Sequence, residues 1–253
     1  LIDPLRAWVE QGEKISMVSL MLANNETGVL QPVSELVTVC QPLGIAVHTD
    51  AVQAFGKIPV DFRSLGVDAM TITAHKIHGP IGIGGLALRH GLKLDPMFYG
   101  GFQQQSLRPG TESPALASAF AFTSTLCLGN RDERYERMSH CRRRLESALR
   151  ERIPQAVILG EPEERLPHTL SISFPGVDRQ ALQLALDRVG VACGTGSACA
   201  SGSSQPSHVL QAMRLDPTII RGAIRLSLSW ETTESEIDEA AAKISQSVAR
   251  LHR

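Results

Sequence analysis

From residue 15 to residue 88 short apolar runs alternate with helical or turn-like stretches, and nothing else in the chain restricts the fold so much. Residues 15–22, 45–47, 69–72 and 82–88 read as strands, and residues 32–43 read as a helix stopped by Gly44. Upstream, Asp3-Pro4 offers an N-cap followed by Pro at the first helical position. Leu5, Trp8 and Val9 then give a short apolar stripe that closes near Gly12. Strand, helix and strand in succession predict an α/β fold with a mostly parallel sheet covered by helices.

From Pro114 the pattern turns helical, with a long charged helix over about 131–152 and few apolar anchors in the loop 92–111 before it. A domain boundary is expected near residue 125, giving a larger sheet domain at 1–125 and a smaller α+β domain at 126–253. The second part reads as strands at 156–159 and 169–174, a helix at 178–189, a short strand at 191–193, a loop, a helix, a strand at 223–229 and a closing helix. That last helix opens on Thr233-x-x-Glu236, a capping box. Its apolar face is Ile237, Ala241, Ile244, Val248 and Leu251, the spacing of a helix laid on a sheet.

Composition narrows the function class. With 43% hydrophobic residues, 20% charged residues and a net charge of −1 over 253 residues, the chain is an ordinary globular protein with enough length for a real core. No basic excess points to nucleic acid or an anionic membrane, and Arg142-Arg143-Arg144 sits in a mixed-charge stretch that reads as a solvated face. No apolar run reaches membrane-spanning length and no signal-peptide pattern opens the sequence. Cysteines at 40, 127, 141, 193 and 199 are odd in number and scattered, which reads as reduced thiols in the cytoplasm.

Polar residues just past strand ends line the ligand crevice of an open α/β sheet. On that ground Asp50 and Gln53 after one strand, and His75 and Lys76 after the next, are expected to face one pocket. The chain has 5 lysines against 20 arginines, and Lys76 lies between His75 and Ile77 rather than on a charged helix face. A lysine held in a low-dielectric pocket has its pKa lowered and can form a Schiff base, while one at a strand end can equally reach solvent. Arg225 interrupts the alternating run Ile224-Arg225-Leu226-Ser227 and needs a partner, because burying a lone charge is costly. Cys199 lies in a run of small residues from Cys193 to Pro206, so an exposed, accessible thiol is expected there. At an ordinary pKa only about 3% of it would be thiolate at pH 7, so local activation is expected. Cys193 and Cys199 as metal ligands is the competing reading. No partner at zinc spacing accompanies them, and no metal is expected.

Asn24-Asn25-Glu26-Thr27-Gly28, His48-Thr49-Asp50-Ala51-Val52-Gln53 and Ala74-His75-Lys76-Ile77-His78-Gly79-Pro80 resemble the cofactor site of class V, fold-type I pyridoxal-phosphate enzymes. Arg108-Pro109-Gly110-Thr111-Glu112, Gly196-Ser197-Ala198-Cys199 and Ala223-Ile224-Arg225-Leu226-Ser227 extend the likeness in the same order across nearly the whole chain. Within that group the sequence resembles the cysteine desulfurases of iron–sulfur cluster assembly.

The resemblance implies pyridoxal 5'-phosphate as cofactor, with Lys76 as the Schiff-base lysine and proton carrier. Asp50 would pair with the pyridine nitrogen, Gln53 would donate to the phenolic oxygen, and Thr73 and His75 would contact the phosphate. Thr73 stands where the family usually has Ser, which keeps the hydroxyl. Asn25 would approach cofactor and substrate, although Asn24-Asn25 can also be a plain turn. Asp50 can likewise be a strand-end cap. Arg225 would take the carboxylate of L-cysteine, an internal Asp or Glu being the alternative, and Cys199 would accept the sulfur as a persulfide.

Arg108 and Thr111 resemble residues that reach the cofactor phosphate of a partner subunit, so a homodimer is implied. Gln103-Gln104-Gln105 departs from the pattern just before them. A sulfur-acceptor or scaffold protein is the further partner implied. Selenocysteine lyase and class V aminotransferase are the neighbouring activities, and a non-catalytic binding fragment is the reading from another class. By resemblance roughly the first third of the family's chain has no counterpart here, including a ring-stacking His and much of a phosphate loop. Weak cofactor binding by the 253 residues alone is therefore expected.

Overall fold

The computed structural model describes residues 2–196 and 205–252. The chain divides into two compact units. One comprises residues 1–22 and 31–131, the other residues 23–30 and 132–253.

In the first unit helix α1 (Ile2–Glu10) precedes strand β1 (Met17–Met21), followed by α2 (Val33–Cys40), β2 (Ala46–Asp50), the short α3 (Phe62–Leu65), β3 (Ala69–Thr73), β4 (Gly84–Leu88) and α4 (Pro114–Gly129). The sheet runs in the order β1-β2-β3-β4. β1, β2 and β3 are mutually parallel and β4 is antiparallel to β3, so the sheet is mostly parallel as expected. Parallel pairing places the C-terminal ends of β2 and β3, at Asp50 and Thr73, at the same end of the sheet.

Side chains tie these strands as firmly as the ladder does. Thr49 Oγ1 donates to the Leu20 carbonyl at 2.8 Å, and Asp68 accepts from the Val47 amide at 2.8 Å and from Arg89 Nε at 2.6 Å. His48 bridges Ser19 and Thr71, with 2.8 Å from each ring nitrogen to a hydroxyl, so one imidazole spans three strands. α4 starts cleanly because Ser113 caps the Leu116 amide and Pro114 occupies the first turn. Leu5 of α1 is buried but Trp8 is 49% exposed, so the apolar stripe read from the sequence is narrower than it looks.

The second unit contains α5 (Arg131–Arg152), β5 (Val157–Ile158), β6 (Thr169–Ser173), α6 (Arg179–Arg188), α7 (His208–Ala212), α8 (Pro217–Arg221), β7 (Ala223–Ser227) and α9 (Glu234–Leu251). Its sheet is antiparallel in the order β5-β6-β7. β6 is buried along its whole length, and Leu170, Ile172, Phe174, Leu182, Leu186, Ile224, Ile237 and Ile244 form the core around it. The capping box at α9 is present, with Thr233 and Glu236 each bonding the other's backbone amide. Ile237, Ala241, Ile244 and Val248 are buried, while Leu251 in the last turn is 36% exposed. Residues 23–30 form a turn closed by the bridge of Ala23 to Leu30 and join this unit through the bridge of Val29 to Arg165.

Two expectations are corrected. Residues 191–193 are not a strand. Only Gly194 bridges to Arg225, through two backbone bonds of 2.9 and 2.7 Å, while the Val191 amide turns back to the Leu186 carbonyl at the end of α6. The single helix expected before β7 is two short ones, split where Asp216 caps the Thr218 amide and Pro217 begins a new turn.

Candidate active site

β2 ends on Asp50, whose exposed carboxylate accepts from the Val52 amide at 2.8 Å. That bond caps the turn after the strand and engages one oxygen. Gln53 lies in the same turn, which closes on itself through the Ala54 and Phe55 amides bonding to the Ala51 carbonyl.

One strand over, β3 ends on Thr73, and His75–Ile77 forms a single 3-10 turn that carries Lys76. The turn is closed by the Ile77 and Gly79 amides, both donating to the Ala74 carbonyl at 3.0 and 2.9 Å. His78 supplies the left-handed backbone, with φ of 66°, that reverses the chain. Gly79 is required for a different reason, since a Cβ there would come within 2.9 Å of the Ala74 carbonyl oxygen. Thr73 Oγ1 lies 3.0 Å from His75 Nδ1 and 3.3 Å from the Ile83 carbonyl. The Ile83 carbonyl also accepts from the Ala74 amide at 3.2 Å, so the Thr73 hydroxyl is free either to donate to His75 Nδ1 or to accept from an Nδ1–H.

Two groups hold the lysine turn from behind. Lys57 Nζ donates to the Lys76 carbonyl at 3.0 Å, and Cys127 Sγ lies 3.5 Å from the Ile77 carbonyl. Burial, and next the charge of Lys76, pull the Lys57 ammonium down to about 8. Lys57 has no role in the sequence reading. The signal for it was there, as a scarce lysine in the otherwise apolar Ala54-Phe55-Gly56-Lys57-Ile58-Pro59. Thr111 and Arg108 lie exposed in the segment before α4, Arg108 donating to the Pro109 carbonyl.

The second unit holds the other candidates. Arg225 sits in mid-β7 opposite Ser171. Its Nη1 donates to the Asn25 carbonyl at 2.8 Å, and its buried Nε has no partner. No carboxylate ion-pairs with it among the described residues. Asn25 belongs to a tight turn, but the residue that makes the turn is Asn24, whose Oδ1 accepts from the Glu26 and Thr27 amides at 2.9 Å each. In the same motif Glu26 is buried and accepts from Ser207 Oγ at 2.6 Å.

Cys199 lies outside the described residues. Cys193 does not, and burial, followed by the charge of Asp187, pushes its thiol up to about 11. Cys40, Cys127 and Cys141 are buried free thiols. Among the described residues no cluster of His, Cys, Asp and Glu could hold a metal ion, and no helix is long and apolar enough to cross a membrane.

Comparison with known proteins adds a family. Cysteine desulfurase NifS of Azotobacter vinelandii is 38% identical over 239 residues, covering 94% of this chain and 60% of its own length. A cysteine desulfurase of Enterobacter agglomerans is 42% identical over 253 residues, covering 99% of this chain and 62% of its own length. The chain thus spans about three fifths of the curated relatives it matches. The solved structure of a NifS-like protein from Rickettsia africae superposes with a TM-score of 0.89 at 31% identity, over 99% of this chain and 66% of that one. The family model for class V aminotransferases matches residues 2–240, and the chain belongs to that family.

Proposed function

We propose that this chain forms the cofactor-handling and substrate-handling parts of a pyridoxal-phosphate-dependent cysteine desulfurase, which converts L-cysteine to L-alanine and leaves the sulfur on Cys199 as a persulfide. The observation that carries this reading is the pairing of Lys76, in a fixed turn just past β3, with Asp50 at the end of the parallel neighbour β2. An acceptor-only carboxylate with one oxygen engaged by Val52 suits a protonated ring nitrogen. The Thr73 hydroxyl at the end of β3 and the His75 imidazole two residues on bond each other, and both can exchange that bond for one donated to a phosphate. The residues present therefore fit the group.

When bound, pyridoxal phosphate supplies the electron sink for bond breaking in the amino acid. Lys76 would hold its aldehyde carbon, then take and return the substrate's Cα proton. Asp50 would keep the ring nitrogen protonated, Gln53 would donate to the phenolic oxygen, Thr73 and His75 would bind phosphate, and Thr111 would reach the cofactor phosphate of a partner subunit. Asn25 would orient the substrate. The unpaired Nε of Arg225 supports a role in binding the cysteine carboxylate. Cys199 would take the sulfur and pass it to an acceptor or scaffold protein that serves iron–sulfur or thio-cofactor assembly.

A homodimer is supported by Met97 and Phe102, 88% and 90% exposed, with Phe98 and Tyr99 between them. Such apolar side chains in one short loop suit burial against a second copy. Four free cysteines among the described residues support a reducing, cytoplasmic setting. Borohydride reduction in the presence of pyridoxal phosphate, followed by peptide mapping, should place the pyridoxyl group on Lys76. Label on Lys57 or Lys93, or spread evenly, refutes the assignment.

A further inference from the structure

We propose that Lys57 is a positioning residue for Lys76, fixing the turn that carries it through the bond from Nζ to the Lys76 carbonyl. The inference rests on the reading of Lys76 as the cofactor lysine. A three-residue 3-10 turn leaves its last carbonyls without partners from the turn itself. The Lys76 carbonyl receives a charge-assisted donor at 3.0 Å, whereas the Ile77 carbonyl has only a thiol at 3.5 Å.

Packing brings the two segments into register. Gly56 has a φ of 75°, and a Cβ on it would come within 2.7 Å of Ile77 Cγ2 and 3.3 Å of Cys127 Cβ. The loop before Lys57 therefore lies directly against the turn, which brings Lys57 Nζ within 3.0 Å of the Lys76 carbonyl.

Shape alone does not explain a lysine here. A methionine fills a similar slot with no charge to bury, yet the chain keeps an ammonium whose protonated form is penalised by burial and by Lys76. A residue retained against a local energetic preference is expected at a functional site. Holding a reacting amine in place is the function that this bond can serve, since small misplacements of a reacting group cost rate steeply.

The test compares the chain with its Lys57→Met and Lys57→Arg variants. Without cofactor, amide hydrogen exchange at residues 77–79 should be about tenfold faster in Lys57→Met and return towards the parent rate in Lys57→Arg. With pyridoxal phosphate and borohydride, initial labelling of Lys76 should fall about tenfold in Lys57→Met and recover in Lys57→Arg. The melting temperature of Lys57→Met should be no lower than the parent's. Unchanged exchange and labelling in Lys57→Met overturn the proposal. So does a lowered melting temperature that Lys57→Arg does not restore, which would mark a merely structural residue. A parent chain that takes no label on Lys76 defeats the cofactor reading, and exchange at residues 77–79 then decides the role of Lys57 on its own.

Discussion

The two units hold their candidate residues in opposite ways. In the first, Asp50 closes a strand and Gln53, His75 and Lys76 lie beyond strand ends, in turns whose backbone is fixed by caps and by side chains reaching in from elsewhere. In the second, Arg225 sits in the middle of an antiparallel strand, with ladder bonds to β6 on one side and to Gly194 on the other. A fixed turn past a strand end leaves its side chain free of ladder neighbours, which suits a lysine held in place while its amine changes partners. A strand interior holds its residue on both sides, which suits an arginine that binds one charged group in one orientation. Under the proposed function the first unit would supply the reacting lysine and the second would supply carboxylate recognition and the sulfur-accepting thiol.

The largest expected effect falls on the first unit. Lys76→Ala should abolish borohydride-fixed pyridoxyl and lower turnover by at least about 10³-fold, because covalent anchoring and proton transfer vanish together. Label that persists elsewhere in that variant would break the division. Next comes the sulfur step. Cys199→Ser should leave no persulfide detectable by mass while Lys76 still takes the label, and Cys193→Ser should keep most activity. A thiol pushed up to about 11 is thiolate to only about one part in 10⁴ at pH 7, far too little for a nucleophile. Persulfide on Cys193 would sink this assignment.

Local rules explain how much of this was legible. The mostly parallel sheet and the Thr233 capping box follow from short-range patterns, and the structure contains both, while the strands read at 45–47 and 69–72 run on to Asp50 and Thr73. Pairing across long sequence separations does not follow from such patterns. Nothing near Arg225 in sequence says that its guanidinium meets the carbonyl of Asn25, 200 residues away. Nothing near Lys57 says that its amine meets a carbonyl 19 residues on. The same gap produced the error at residues 191–193. The short apolar run Val191-Ala192-Cys193 resembles a strand, but a ladder needs a partner that the sequence does not display.

Arg225 gives a smaller and more graded prediction. Arg225→Ala should raise the KM for cysteine and lower kcat/KM by about one to two orders of magnitude, the value of a charged hydrogen bond of about 1.5–3 kcal/mol. Part of that loss could come from the Asn25 contact rather than from substrate. Arg225→Lys separates the two, since a lysine can still donate to the Asn25 carbonyl but cannot fork onto a carboxylate. Full recovery in Arg225→Lys, or an unchanged KM in Arg225→Ala, would show that the arginine serves the fold and not recognition.

The smallest effect sets the two units against each other through pH. Lys57 in the first unit has its ammonium lowered from the ordinary 10.5 to about 8 by burial and the charge of Lys76. Below pH 8 folded and unfolded chains both hold that proton, and the folded state bears the full burial cost. Between about 8 and 10.5 the unfolded chain binds more protons, so stability rises with pH, and above that range the cost is gone. Cys193 in the second unit does the reverse. Its thiol is raised from 9.0 to about 11, so between those values the folded state binds more protons and stability falls as pH rises. The parent profile therefore mixes two opposed slopes, and neither shows alone. Subtracting the Lys57→Met profile isolates the first, which should appear as a gain on the order of 2 kcal/mol from pH 8 to pH 10. Subtracting the Cys193→Ser profile isolates the second, with the opposite sign. A Lys57 difference that is flat across this window would mean that the amine reaches solvent. That would remove the reason to read its bond to Lys76 as anything more than a surface contact.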